Sequence, residues 1–124
     1  MEFSSRHFAD VAVAAPSGRI DHPAAETLEH ALAHVLADSG IPKAGIVLDF
    51  SGVDYISSVG LRVLMIAAKQ MRVQETPIAV ASLRPIVAEI FAISRFDRVL
   101  DVYPSVRDAI AGMSAAALKA FDAR

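Results

Sequence analysis

The sequence lacks cysteine and tryptophan, and neither sign of charge dominates it. Without cysteine the chain has no disulfide bond, no thiolate-bearing zinc site and no thiol nucleophile. Twelve lysines and arginines stand against 14 aspartates and glutamates, for a formal net charge of -2. Binding to nucleic acid or to an anionic membrane surface requires a basic patch that neutralises phosphates, so this balance argues against both classes of partner.

Long hydrophobic runs are also missing, although 54% of the 124 residues are hydrophobic. The longest apolar stretches, such as Gly45–Leu48 and Val63–Ala68, are far shorter than the ~20 residues of a transmembrane helix. Residues 1–6 lack the basic segment and apolar core of a signal peptide. We therefore expect a cytoplasmic protein that folds as one domain, since single domains commonly contain ~100–200 residues.

Alternating strand and helix patterns predict an α/β fold. The predicted strands are residues 3–8, 11–14, 45–50, 78–81 and 99–103, and the predicted helices begin near residues 21–23, 57–58, 85 and 105. The uninterrupted apolar run Gly45–Phe50 is typical of a strand buried on both faces of a parallel sheet. A small mixed sheet of four to five strands, packed with about four helices, follows from this order.

Proline, glycine and capping residues set the predicted boundaries. Residues 16–18 end the first hairpin, and Asp21 or His22 caps the first helix. The break at residues 40–42 ends this helix, and residues 51–54 form a turn. The single domain, residues 1–124, is expected to have its core over about residues 3–112. Residues 113–124 then form a C-terminal tail with an extra helical turn or a frayed end.

The third predicted helix has an apolar face of its own. Ile86, Ile90 and Ile93 recur at helical spacing, and Val87 and Phe91 flank them. Periodicity therefore assigns the three isoleucines to one side of the helix.

The most informative segment joins the buried strand to the second predicted helix, where Ser57 and Ser58 are adjacent. Open α/β sheets place their sites at the carboxyl ends of strands. A helix N-terminus offers unpaired N–H groups and a partial positive charge, so an added phosphate would be tolerated there. The simpler interpretation is that one serine is only an N-cap, which contributes about 1 kcal/mol. A functional interpretation needs more than capping.

Three segments, in order along the chain, resemble the STAS domain of bacterial anti-sigma factor antagonists. Residues 48–64 are similar to its signature, a strand ending in Asp-Leu/Phe-Ser-x-Val followed by a hydrophobic residue and Asp-Ser-Ser/Ala-Gly-Leu. Residues 16–21 resemble the family's Gly-x-hydrophobic-Asp, and residues 84–100 resemble its third helix and final strand. The resemblance covers about residues 11–110 and implies the STAS fold.

The resemblance implies a partner-switching protein rather than an enzyme. Members of the family bind an anti-sigma factor that is also a serine kinase of the GHKL ATPase type, and so free a sigma factor. Phosphorylation of a helix-start serine breaks the complex, and a PP2C-type phosphatase restores it. The matching serine is Ser58, and Ser57 is the alternative acceptor. We expect no cofactor, no metal, and a monomer or weak dimer.

The predicted partner-binding residues surround this serine: Asp21, Asp54, Tyr55, Ser57, Ser58, Val59, Gly60 and Arg62. Three positions depart from the family pattern. Ser57 stands where the family usually has Asp, and Val59 replaces a small residue. Arg95 replaces a glycine that would suit a left-handed helix end, where a non-glycine residue costs about 1 kcal/mol.

Ordinary structural roles are alternatives for several of these residues. Asp21 also suits a helix cap, and Asp54 and Tyr55 suit turn and packing positions. Arg62 also fits a solvated helix face.

Two other functions stay open. An adaptor subunit of a stress-signalling or lipid-transport assembly would use the same fold with a serine that is never modified. A small serine hydrolase built on Ser58 is a remote alternative, because all four histidines precede Ser58 whereas α/β-hydrolases place the histidine after the serine. His30 and His34 have the i, i+4 spacing of metal ligands, but no third ligand is evident.

Overall fold

The computed structural model describes residues 1–37 and 44–124, within which six strands and five α-helices form. The strands are β1 (Glu2–Phe8), β2 (Val11–Ile20), β3 (Gly45–Asp49), β4 (Gly52–Ile56), β5 (Ile78–Ala81) and β6 (Asp101–Tyr103). The helices are α1 (His22–Ala37), α2 (Ser58–Val73), α3 (Pro85–Ile93), α4 (Val106–Ala111) and α5 (Ala115–Asp122). The predicted α/β class is confirmed, with one strand and one helix more than expected. The predicted end of α1 at residues 40–42 lies outside the described residues.

The sheet has the order β1-β2-β3-β5-β6, and β4 pairs with β2 off this path. β1 and β2 form the predicted antiparallel hairpin, which turns at Ala9 with φ 53°. The other pairings are parallel. β3 is central, as its apolar run predicts, and Ile46, Val47 and Leu48 have no exposed surface.

Strand β2 divides its pairing between two strands. Residues 11–14 pair with β3, whereas residues 17–20 pair with β4. The antiparallel pairing with β1 ends at Ser17, which confirms that the hairpin ends within residues 16–18, but β2 itself continues to Ile20, so the predicted end of this strand at residue 14 is wrong. Pro16 lies between the two paired stretches, where the ladder to the parallel partners is interrupted and a residue without an N–H is tolerated. We call this division the β2 fork.

The predicted turn at residues 51–54 is also wrong, because most of it belongs to β4. β3 and β4 run in the same direction, and only a short turn separates them, in which the Ser51 N–H donates to Asp49 Oδ1 (3.0 Å) and the Val53 N–H donates to the Phe50 carbonyl oxygen (2.9 Å). β4 then buries Val53 and Ile56. β4 has only five residues, and it contains a glycine and an aspartate, which are common in turns. The sequence alone therefore suggests a turn here.

Two apolar layers lie on opposite faces of the sheet. Helices α1, α2 and α3 pack on one face, and α4 and α5 pack on the other. Alternate residues of the strands serve the two layers, as in the pairs Ala12 and Val13 or Leu48 and Val47.

Helix α3 buries the residues that flank its isoleucines. Val87 and Phe91 are fully buried, and the Phe91 ring makes edge-on contacts with Phe50 and with Phe96 at centroid distances of 6.3 and 5.2 Å. The isoleucine face is turned outward: Ile86 and Ile93 are 55% and 77% exposed, whereas Ile90 is half-buried and packs against the core.

The C-terminal tail is a packed helix, so the expectation of a single turn or a frayed end is wrong. Ser114 caps α5 by accepting a hydrogen bond from the Ala117 N–H at 3.1 Å, and its own hydroxyl donates to Asp10 Oδ1 at 2.6 Å. Phe121 packs edge-on against Phe8 with a centroid distance of 5.1 Å. The tail therefore covers the β1–β2 hairpin.

Candidate functional site

The two adjacent serines at the start of α2 have different environments. Ser57 is the N-cap: its Oγ accepts a hydrogen bond from the Gly60 N–H at 3.2 Å, and its own N–H donates to the Ile20 carbonyl oxygen at 2.8 Å. Ser58 is the first residue of the helix and is exposed. The Ser57 hydroxyl therefore supports the helix, whereas the Ser58 hydroxyl is available at the surface.

The N-termini of α1 and α2 lie side by side because β2 and β4 are paired in parallel. Ile20 and Ile56 are register partners at the ends of these strands, so Asp21 and Ser57 follow at neighbouring positions. Asp21 caps α1 by accepting a hydrogen bond from the Ala24 N–H at 3.1 Å, which confirms its predicted capping role. Two helix ends with partial positive charge therefore meet at one edge of the sheet.

Gly60 is buried and lets the first turn of α2 approach both strands. A Cβ atom at this position would lie 2.8 Å from Ile56 Cγ1 and 2.9 Å from Ile20 Cγ2. Gly60 therefore contributes to the site by close packing, which fixes the positions of Ser57 and Ser58.

Asp54 and Tyr55 are held by two arginines that the sequence interpretation missed. The Arg84 guanidinium forms an ion pair with Asp54, and its Nε donates to the Ser51 carbonyl oxygen at 2.7 Å. The Arg19 guanidinium lies 4.1 Å from the centroid of the Tyr55 ring, a cation–π contact. Arg84 belongs to the third segment of the STAS resemblance, and Arg19 to the first, but neither contact is visible without the strand order.

The two remaining predicted residues lie on the first turns of α2. Arg62 is exposed and follows Ser58 by four residues, so the two share one face of the helix. Val59 is half-buried and packs against the core. The structure thus brings all eight predicted residues to the edge formed by the ends of β2 and β4, with Gly60 beneath the surface.

Among residues 1–37 and 44–124, no cluster of three or more histidine, aspartate or glutamate side chains could hold a metal ion. Within the same ranges no helix has the length and apolar character needed to cross a membrane.

Comparison with known proteins gives consistent matches. The sequence profile of the STAS domain matches residues 3–109. BtrV of Bordetella bronchiseptica, whose name assigns it to the anti-sigma factor antagonists, is 39% identical over 92 residues, which are 74% of this chain and 74% of BtrV. The crystal structure of an anti-sigma factor antagonist from Mycobacterium paratuberculosis has a TM-score of 0.81 and 28% identity, covering 90% of this chain and 92% of that one.

A more distant structure shares the fold. SpoIIAA, a cell fate determinant of Bacillus, has been solved in its phosphorylated form. It superimposes with a TM-score of 0.67 at 14% identity, covering 91% of this chain and all of that one.

Proposed function

This chain belongs to the STAS domain family, among the anti-sigma factor antagonists, and we propose that it works by partner switching. It is a regulator rather than an enzyme. In the proposed cycle, residues 1–124 act as one unit in the bacterial cytoplasm and bind an anti-sigma factor that is also a GHKL-type serine kinase. Phosphorylation of Ser58 releases the partner, and a PP2C-type phosphatase restores binding.

The observation that carries this proposal is the division of roles at the start of α2. The Ser58 hydroxyl is exposed at the first helical position, whereas the Ser57 hydroxyl caps the helix. Transfer of a phosphoryl group to Ser58 leaves the cap intact. Transfer to Ser57 would first require its hydrogen bond to Gly60 to break.

Electrostatics supports release without unfolding. A phosphoserine carries about -1.5 to -2 charges, and the positive ends of α1 and α2 stabilise an anion at this edge. At a docking surface the same charge, desolvated without a partner, costs several kcal/mol. The structure of SpoIIAA has been solved in its phosphorylated form, which is consistent with a domain that stays folded after phosphorylation.

The residues around Ser58 suit a polar docking surface. Asp21, Asp54 and Tyr55 are fixed by hydrogen bonds, an ion pair and a cation–π contact, so a partner would meet an ordered surface. Arg62 shares a helix face with Ser58, and a phosphate there can pair with its guanidinium. Phosphorylation of Ser58 therefore adds a negative charge to the docking surface. The phosphate also pairs with Arg62, whose guanidinium is then not available to the partner.

The acceptor is tested by incubating the protein with each purified GHKL-type anti-sigma factor kinase of the same genome and ATP. We expect phosphate on Ser58, located by mass spectrometry, and its loss in Ser58→Ala but not in Ser57→Ala. Ser58→Asp should weaken kinase binding in a calorimetric titration, whereas Ser58→Ala and the control Ser5→Asp, an exposed serine on β1, should bind normally.

Three results would contradict the proposal. Binding without phosphate on Ser57 or Ser58 would favour a constitutive adaptor, and equal affinities of Ser58→Asp and Ser58→Ala would remove the switch. Turnover of a model ester that disappears in Ser58→Ala would instead favour a hydrolase.

A further inference from the structure

The outer face of α3 carries an apolar stripe that the fold buries only in part. Ile86, Ile90 and Ile93 form this isoleucine stripe; Ile86 and Ile93 are 55% and 77% exposed, whereas Ile90 is half-buried and packs against the core. In the part of the chain that the structure describes, five large hydrophobic side chains are exposed, and two of them belong to this nine-residue helix. Contiguous exposed apolar surface with a polar rim is typical of protein interaction sites.

The isoleucine stripe begins at the edge that carries Ser58. Arg84 immediately precedes α3, and its side chain contacts Ser51 and Asp54, the latter on the strand that leads into Ser57. From Ile86 to Ile93 the stripe extends along the helix by roughly 10 Å, at about 1.5 Å per residue. The end of the stripe at Ile86 therefore adjoins the surface around Ser58, and the stripe leads away from it.

The size of the stripe suits part of an interface rather than a whole one. A fully exposed isoleucine side chain offers roughly 60–120 Å² of apolar surface. The two exposed side chains, Ile86 and Ile93, together offer at most about 240 Å², whereas a stable interface takes about 800 Å² from each partner. A second copy docked on the stripe alone would not form a stable dimer, so an occupant of the stripe must also contact neighbouring surface, such as the surface around Ser58.

We propose that the isoleucine stripe docks an apolar groove of the same anti-sigma factor that binds the surface around Ser58. This inference rests on the proposed function. The partner then has two contiguous parts, a polar one facing Ser58 and an apolar one facing α3. The stripe supplies affinity, and the serine supplies the release.

The test uses Ile86→Gln and Ile93→Gln, with Val73→Gln as the matched control. Val73 is 85% exposed at the far end of α2, so its substitution makes the same kind of change away from the proposed interface. The probe is the purified GHKL-type anti-sigma factor kinase of the same genome that wild type binds. We expect each isoleucine variant to bind about tenfold or more weakly in calorimetry, with Val73→Gln and all melting temperatures unchanged.

Each other result overturns the inference in a distinguishable way. Unchanged affinity of both isoleucine variants, together with weakened binding by Ser58→Asp, would remove the stripe from the interface and leave the proposed function standing. Failure of wild type to bind any of these kinases would overturn both. Self-association that Ile93→Gln abolishes in sedimentation, with kinase affinity unchanged, would assign the stripe to a second copy of this chain.

Discussion

Ser57 and Ser58 are neighbours in the chain but have separate physical roles. Ser57 stands where the signature that the sequence resembles has Asp, and both residue types are good N-caps because each has a side-chain oxygen that accepts an N–H of the first turn. The departure from the family pattern therefore preserves the helix start. What changes is the charge next to Ser58, which loses one carboxylate.

This division of roles predicts different effects of the two alanine substitutions on stability. Ser57→Ala should lower the free energy of unfolding by about 1 kcal/mol, because the Gly60 N–H loses its acceptor. Ser58→Ala should change it by less than about 0.5 kcal/mol, since the side chain is exposed. Equilibrium urea denaturation of both variants measures the difference. Equal values for the two variants would contradict the assigned cap.

Arg95 is a residue whose conformation the sequence indicates correctly. The family's glycine at this position suggests a left-handed helix end, and the structure has Arg95 at φ 55° and ψ 32° directly after α3. Capping residues were equally informative: Asp21 and Ser105 cap α1 and α4, and Pro85 begins α3. These features are local, so a few consecutive residues suffice to define them.

The elements that the sequence did not reveal depend on contacts between distant segments. β4 is a strand only because residues 17–20 of β2 pair with it. In α3 both the isoleucine face and the Val87 and Phe91 face are apolar, and the aromatic contacts with Phe50 and Phe96 decide which one is buried. The contacts of Arg84 and Arg19 with the site likewise require the order of the strands.

The pairing of α4 with α5 predicts a pH effect. Arg107 donates two hydrogen bonds to Asp122, at 3.0 and 2.9 Å, and this contact holds the pKa of the Asp122 carboxyl below its ordinary value of 3.8. The stabilisation is present above the pKa of the unfolded state and is lost as the pH falls through the lower folded-state pKa. Nuclear magnetic resonance titration should show the Asp122 pKa rising in Arg107→Gln. An unchanged pKa would contradict this cause.

At the scale of the whole molecule, the two apolar layers that stabilise the fold are separate from the surface around Ser58. α4 and α5 cover one face, α1 to α3 cover the other, and the Ser58 surface lies at an edge between strand ends and helix starts. A phosphate of about -1.5 to -2 charges nearly doubles the net charge of -2 at one point of this edge. A large local change of charge therefore leaves both apolar layers untouched.

Amide hydrogen exchange should report this separation. Ser58→Asp should alter protection in residues 17–20 and 52–56, which share hydrogen bonds at the site, because local opening follows contiguous packed units. Protection in β3 should stay unchanged, since β3 pairs with the other half of β2 and with β5. Ser5→Asp serves as the control for added charge. An equal change in β3 and β4 would contradict the separation.

The β2 fork has a consequence for how such a protein can diversify. β3 and β4 occupy different halves of one strand, so the register of the central sheet does not depend on the sequence of β4. Residues of β4 and the start of α2 can therefore change to suit a new partner while residues 11–14 and β3 maintain the fold. One chromosome can therefore encode several copies of this domain that bind different partners, because the copies differ in β4 and at the start of α2 while they share the same central sheet.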